Sequence, residues 1–109
     1  MQSSIKSLED FDLLKLSGEI DLHYSPKVRE KILASLKAGN ALLIDLSDVK
    51  YIDSSGIASL VEGFQTAKTA KLPYGLLNIS TTAMQVLTLT RLDKIFSIYN
   101  SVEQFQQQL

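Results

Sequence analysis

The chain has no cysteine, which excludes disulfides, thiolate metal sites and thiol chemistry together. Histidine occurs once, at His23, so an imidazole-based metal site lacks a second ligand of its own kind and no metal is expected. Two prolines and five glycines in 109 residues leave no room for a linker. No surplus of one charge exists either: 11 basic against 12 acidic residues give a net charge of -1. That balance gives no reason to expect nucleic acid or an anionic membrane as partner. No apolar run nears the roughly 18 residues that cross a bilayer. Residues 1–6 lack an apolar core of signal-peptide length. These absences lead us to expect a cytoplasmic protein without direct membrane insertion, built as one domain over residues 1–109.

What is present alternates. Residues 5–8 and 11–16 are β-prone runs separated by Glu9-Asp10 and read as paired strands. Gly18-Glu19-Ile20-Asp21 reads as a polar exit from the second. Ser25-Pro26 predicts a helix start with Ser25 as N-cap and Pro26 in the first turn. Val28, Ile32 and Leu36 fall four apart on its buried side, Lys27, Arg29, Lys31 and Lys37 face water, and Gly39-Asn40 ends it. Residues 41–44 are wholly apolar, as a strand covered on both faces requires. A polar loop is expected from Asp45 onward, then a second helix with Ile57, Leu60, Val61, Phe64 and Ala67 inward.

Beyond Leu72-Pro73, residues 74–79 read as a strand and Ser80-Thr81-Thr82 as the cap of a third helix carrying Met84, Leu87 and Arg91 along one side. A short strand over residues 95–99 follows. Ser101 and Gln104 are then spaced as the capping box of a last helix, in which Val102 and Phe105 can pack. The order ββαβαβαβα predicts an α/β fold: a mixed, mostly parallel sheet packed against helices, with an antiparallel pair at its edge.

Asp53-Ser54-Ser55-Gly56 falls where the buried strand hands over to the second helix. Free backbone N–H groups and the positive end of the helix dipole meet there. A hydroxyl at that point is exposed, and a phosphate on it would be favoured electrostatically. Ser and Asp are equally the residues that cap helices for structural reasons alone. On the local residues both readings stand. The expected outer side of this helix carries Ala58, Ser59, Glu62 and Gly63, small enough for another protein to lie closely, or Gly63 is merely a tolerated helix glycine.

Gly18-Glu19-Ile20-Asp21, the stretch from Leu43 to Val49, Tyr51-Ile52 with the Asp-Ser-Ser-Gly turn, and Leu92-Asp93-Lys94-Ile95-Phe96 together resemble the STAS domain of bacterial anti-sigma factor antagonists. The match runs from about Phe11 to the C-terminus in the family's order and spacing. The resemblance implies the STAS fold and phosphorylation of the second motif serine, Ser55, with Ser54 as second choice. It implies an anti-sigma factor serine kinase that the unphosphorylated protein captures, freeing a sigma factor, and a serine phosphatase that resets the switch. It also implies a partner-binding surface, for which the candidates are Asp21, Asp53, Ser54, Gly56, Ser59 and Gly63. Ala70-Lys71-Leu72-Pro73-Tyr74-Gly75 lacks the family's frequent glycine pair, and Arg91 stands where glycine is common. Both departures bear on partner identity. A weak homodimer is compatible with this reading.

A second function fits the same resemblance, that of a cytoplasmic STAS accessory subunit of a lipid-transport ABC complex. Such subunits commonly lack a full Asp-Ser-Ser-Gly, which this chain retains. An enzyme is not expected. Ser55 has no histidine neighbour in sequence and no Gly-x-Ser-x-Gly elbow, and no glycine-rich loop could cradle a nucleotide, so no catalytic residue and no cofactor is assigned. Asp45 ends an apolar run as a receiver's phosphate-accepting aspartate does, but the companion acids and lysine are missing, so it reads as a loop-capping carboxylate.

Overall fold

The computed structural model describes residues 2–109. Its five strands lie in sequence order across one sheet, β1-β2-β3-β4-β5. β1 (Gln2–Ser7) pairs antiparallel with β2 (Phe11–Ile20), and β3 (Ala41–Ile52), β4 (Tyr74–Leu77) and β5 (Ile98–Tyr99) continue in parallel. The helices α1 (Ser25–Lys37), α2 (Ser54–Ala70), α3 (Thr81–Leu89) and α4 (Val102–Gln106) alternate with the later strands, and a 3₁₀ turn at Leu92–Lys94 precedes β5. The expected element order and mixed sheet are therefore those of the molecule.

Side-chain alternation along β3 sorts the core into two layers. Leu42, Ile44 and Leu46 point into the larger core with Val28, Ile32 and Leu36 of α1, Ile57 and Leu60 of α2, and Ala83 and Leu87 of α3. Ala41 and Leu43 point the other way, where Phe105 of α4 meets them with Phe11 and Leu77. The first three helices thus cover one face of the sheet, and α4 covers part of the other. This is why residues 41–44 carry no polar side chain.

Several local expectations need correction. β3 does not give way to a loop at Asp45; it runs on to Ile52. Its pairing with β2 slips at two points, between Lys15 and Ser17 and between Gly18 and Glu19, and each slip adds one residue to β3. Such bulges break the period of two. Beyond Leu46 the buried residues come three apart, at Val49 and Ile52, which in sequence looks like a polar loop. Gly18 is likewise no exit: it sits inside β2 with φ +81° at one of these slips, a conformation that costs glycine little.

Ser25 does not cap α1. Tyr24 occupies that position, and the Asp21 carboxylate accepts the His23 and Tyr24 amides, each at 3.1 Å. Ser25 is buried instead. β4 ends at Leu77 and β5 is only two residues long, its predicted start being taken by the 3₁₀ turn. Arg91 lies beyond α3, exposed and left-handed at φ 62°.

Candidate functional site

The junction of β3 and α2 builds the site. Asp53 is the N-cap of α2, with extended backbone that turns its carboxylate back over the first turn. One oxygen, Oδ1, accepts the Ser55 amide at 3.0 Å, the Gly56 amide at 3.3 Å and the Ser55 hydroxyl at 2.5 Å. The Leu22 backbone N–H, from the loop after β2, also donates to Asp53. The Asp53 amide in turn donates to the Ile20 carbonyl at 3.2 Å. Two loops from neighbouring strands are thus tied through one residue. Asp21 lies between the two residues that make these bonds.

The hydrogen bond from Ser55, then the amides of Gly56, Ser55 and Leu22, hold the Asp53 carboxyl below the usual carboxylate range against a smaller opposing effect of burial. The sign follows directly. A folded-state pKa below the unfolded value contributes stability above about pH 4, and this is lost as pH falls through the folded value. We therefore expect Asp53→Asn, which retains a good cap, to lose less stability than the wild type between about pH 5 and pH 2. Denaturant midpoints measured across that range check this.

The six expected partner residues do not form one surface. Ser54 is exposed at the first helical position, and its hydroxyl makes no hydrogen bond among the described residues. Ser55, Asp53 and Asp21 are partly exposed. Gly56, Ser59 and Gly63 are buried. A Cβ on Gly56 would lie 2.7 Å from Ile52 Cγ1 and 3.0 Å from the Ile20 carbonyl oxygen, so the close approach of α2 to the strands requires glycine there. The Ser59 hydroxyl donates to the Ser25 carbonyl of α1 at 3.3 Å. Gly63 packs beneath α1 as well. Ser59 and Gly63 are therefore not on an outer face of α2; Gly56, Ser59, Gly63 and Ala67 form the stripe on which the neighbouring elements sit.

Gly63 yields a sharp expectation. A Cβ there would stand 2.6 Å from Ile32 Cγ2 and 2.6 Å from the Tyr74 hydroxyl. That hydroxyl donates to the Leu60 carbonyl at 2.8 Å, and burial pushes its pKa up. Alanine gains about 1 kcal/mol of helix propensity, yet overpacking costs about 1–3 kcal/mol. Gly63→Ala should lower the denaturant midpoint, and by less when combined with Tyr74→Phe, which removes the nearer obstacle.

Leu22 escaped the sequence reading. It is 75% exposed, beside the Asp53 cap, on a turn whose polar neighbours conceal that a large apolar side chain faces outward. Above α2, Arg29 of α1 holds Glu62 through two contacts, at 2.8 Å and 2.7 Å. Asp45 accepts the Ser47 amide at 2.9 Å, a local backbone cap. His23 stacks edge-on against Tyr24. No group of three or more potential metal ligands comes together among the described residues, and no helix there is long and apolar enough to cross a membrane.

A helix N-terminus that presents an acid-capped serine beside a second loop, on a mixed five-stranded sheet, is the arrangement onto which the comparisons converge. The STAS domain family matches residues 3–105, and the chain belongs to that family. The anti-sigma-B factor antagonist of Listeria monocytogenes is 33% identical over 86 residues, 78% of this chain and 75% of the relative. That of Bacillus subtilis is 32% identical over 94 residues, 86% of each chain. The crystal structure of an anti-sigma factor antagonist from Mycobacterium paratuberculosis superposes with a TM-score of 0.83 at 25% identity, covering 97% of this chain and 91% of the other.

Proposed function

We propose that this protein is an anti-sigma factor antagonist, a cytoplasmic binding module without catalytic activity whose Ser55 hydroxyl is a phosphorylation switch. In the unphosphorylated state it captures an anti-sigma factor serine kinase and frees the sigma factor. A phosphatase restores that state. The observation that supports this reading most is the position of Ser55. Its hydroxyl is partly exposed in the first turn of α2 and is fixed by Asp53. Phosphate there adds roughly 1.5–2 negative charges at a helix end that tolerates anions. The fold survives while the surface offered to a partner changes sign.

Around this turn, Asp21, Leu22, Asp53, Ser54 and Ser55 are the residues we assign to the partner contact. Gly56, Ser59 and Gly63 act from beneath by fixing α2. Mass spectrometry of the protein purified from its own source tests the assignment. Phosphate located on Ser55, with a co-purifying kinase, is the expected result. An unmodified Ser55 under all growth conditions, with a permease and an ATPase co-purifying, would instead identify a transporter subunit.

A further inference from the structure

The two adjacent serines of the turn are chemically alike, yet their surroundings differ. The Ser54 hydroxyl is exposed and has no acceptor among the described residues. The Ser55 hydroxyl donates to Asp53 Oδ1 at 2.5 Å, the short distance of a charge-assisted O–H···O⁻ bond. Resting on the switch reading above, we infer that Asp53 is the residue that makes Ser55, and not Ser54, the phosphate acceptor. It does so by orienting the hydroxyl and receiving its proton during phosphoryl transfer. The chain then brings part of the catalytic apparatus to its own modification.

The geometry supports each part of this. With its proton committed to Asp53, the Ser55 oxygen turns its lone pairs away from the carboxylate towards an incoming phosphoryl group. Asp53 cannot swing aside, because the Gly56, Ser55 and Leu22 amides hold it. Preorganisation of this kind is what phosphoryl transfer asks of a protein, since positioning and electrostatics carry most of the rate. In the step itself, Ser55 Oγ bonds to the γ-phosphorus of a nucleoside triphosphate, and the bond from that phosphorus to the bridging oxygen breaks. The diphosphate leaves, and the hydroxyl proton passes to Asp53 Oδ1 and then to water. The depressed pKa of Asp53 makes it a weak base at rest. That is sufficient where the proton leaves late, once the oxygen has begun to bond to phosphorus. A kinase serving such a substrate needs to supply the nucleotide and its clamp, and gains its choice of serine from the substrate.

The test uses the full chain, ATP and the anti-sigma factor kinase from the same source. Wild type is compared with Asp53→Asn and Asp53→Ser, two capping residues without a carboxylate. We expect wild type to take phosphate on Ser55. Both variants should melt as folded proteins and keep the wild-type KM, with kcat lowered more than tenfold, of the order of a hundredfold. The ratio of wild-type to variant rate should shrink as pH rises and hydroxide replaces the missing acceptor, and residual phosphate should spread onto Ser54. A kcat lowered less than tenfold, or a loss confined to KM, with phosphate still on Ser55 alone, overturns the inference and leaves the switch reading intact. No phosphate on wild type overturns both.

Discussion

Ser55→Asp will weaken capture of the anti-sigma factor at least about a hundredfold, because an unmatched or like charge pressed into an interface costs several kcal/mol. Ser55→Ala will bind within about threefold of the wild type. The contrast depends on what each change does locally. Alanine removes the 2.5 Å bond to Asp53 but leaves that carboxylate on the Ser55 and Gly56 amides, so the first turn of α2 keeps its cap. Aspartate adds a second carboxylate two residues from Asp53, and the helix dipole partly offsets the repulsion. Both variants should therefore melt within about 5 °C of the wild type, a shift worth about 1 kcal/mol. Calorimetric titration with the partner, alongside thermal melts, separates binding from folding. Equal affinities for the two variants would remove Ser55 from the switch.

The largest effect on stability belongs to the other side of the sheet. Phe105→Ala should cost about 3–5 kcal/mol and lower Tm by more than about 10 °C. Phe105 is fully buried on a helix of only five residues, too short to persist without its tertiary contacts. Its ring meets Phe11 and Tyr99 edge to face, both with centroids at 5.3 Å. It closes the smaller core over Ala41, Leu43 and Leu77. Ser101 caps the helix through the Gln104 amide, and the Gln104 side chain reaches back to the Asn100 amide. Those bonds place the helix, but the ring holds it. Removing the ring exposes one face of three strands, so amide exchange should quicken in β3 and β4 as well as in α4.

Where sequence patterns were strong, they gave the architecture. The four-residue spacing of Val28, Ile32 and Leu36 and the apolar run at residues 41–44 placed a helix and a doubly covered strand correctly. The opening pair proved antiparallel. Misreadings arose where a second element decides the outcome. The β3 bulges depend on pairing with β2, and they turned a strand into an apparent loop. On α2, small residues at 56, 59, 63 and 67 were read as an outward flat surface. Their three- and four-residue spacing equally fits a face pressed close to a neighbouring helix, and the buried contacts of Ser59 and Gly63 with α1 decide for the latter. Ser25 was displaced from its cap because Asp21 already supplies the turn's acceptor. Asp53 was legible as a cap. Its bonds to the Ser55 hydroxyl and to Leu22 were not, since they join side chain and loop across the junction.

The account stands on displacement of a sigma factor. A fluorescently labelled sigma factor held by the anti-sigma factor kinase should be released when the unphosphorylated chain is added, with anisotropy falling to that of the free sigma factor. The same chain carrying phosphate on Ser55 should leave the anisotropy unchanged. Release by both forms, or by neither, would contradict the assignment of Ser55 as the switch.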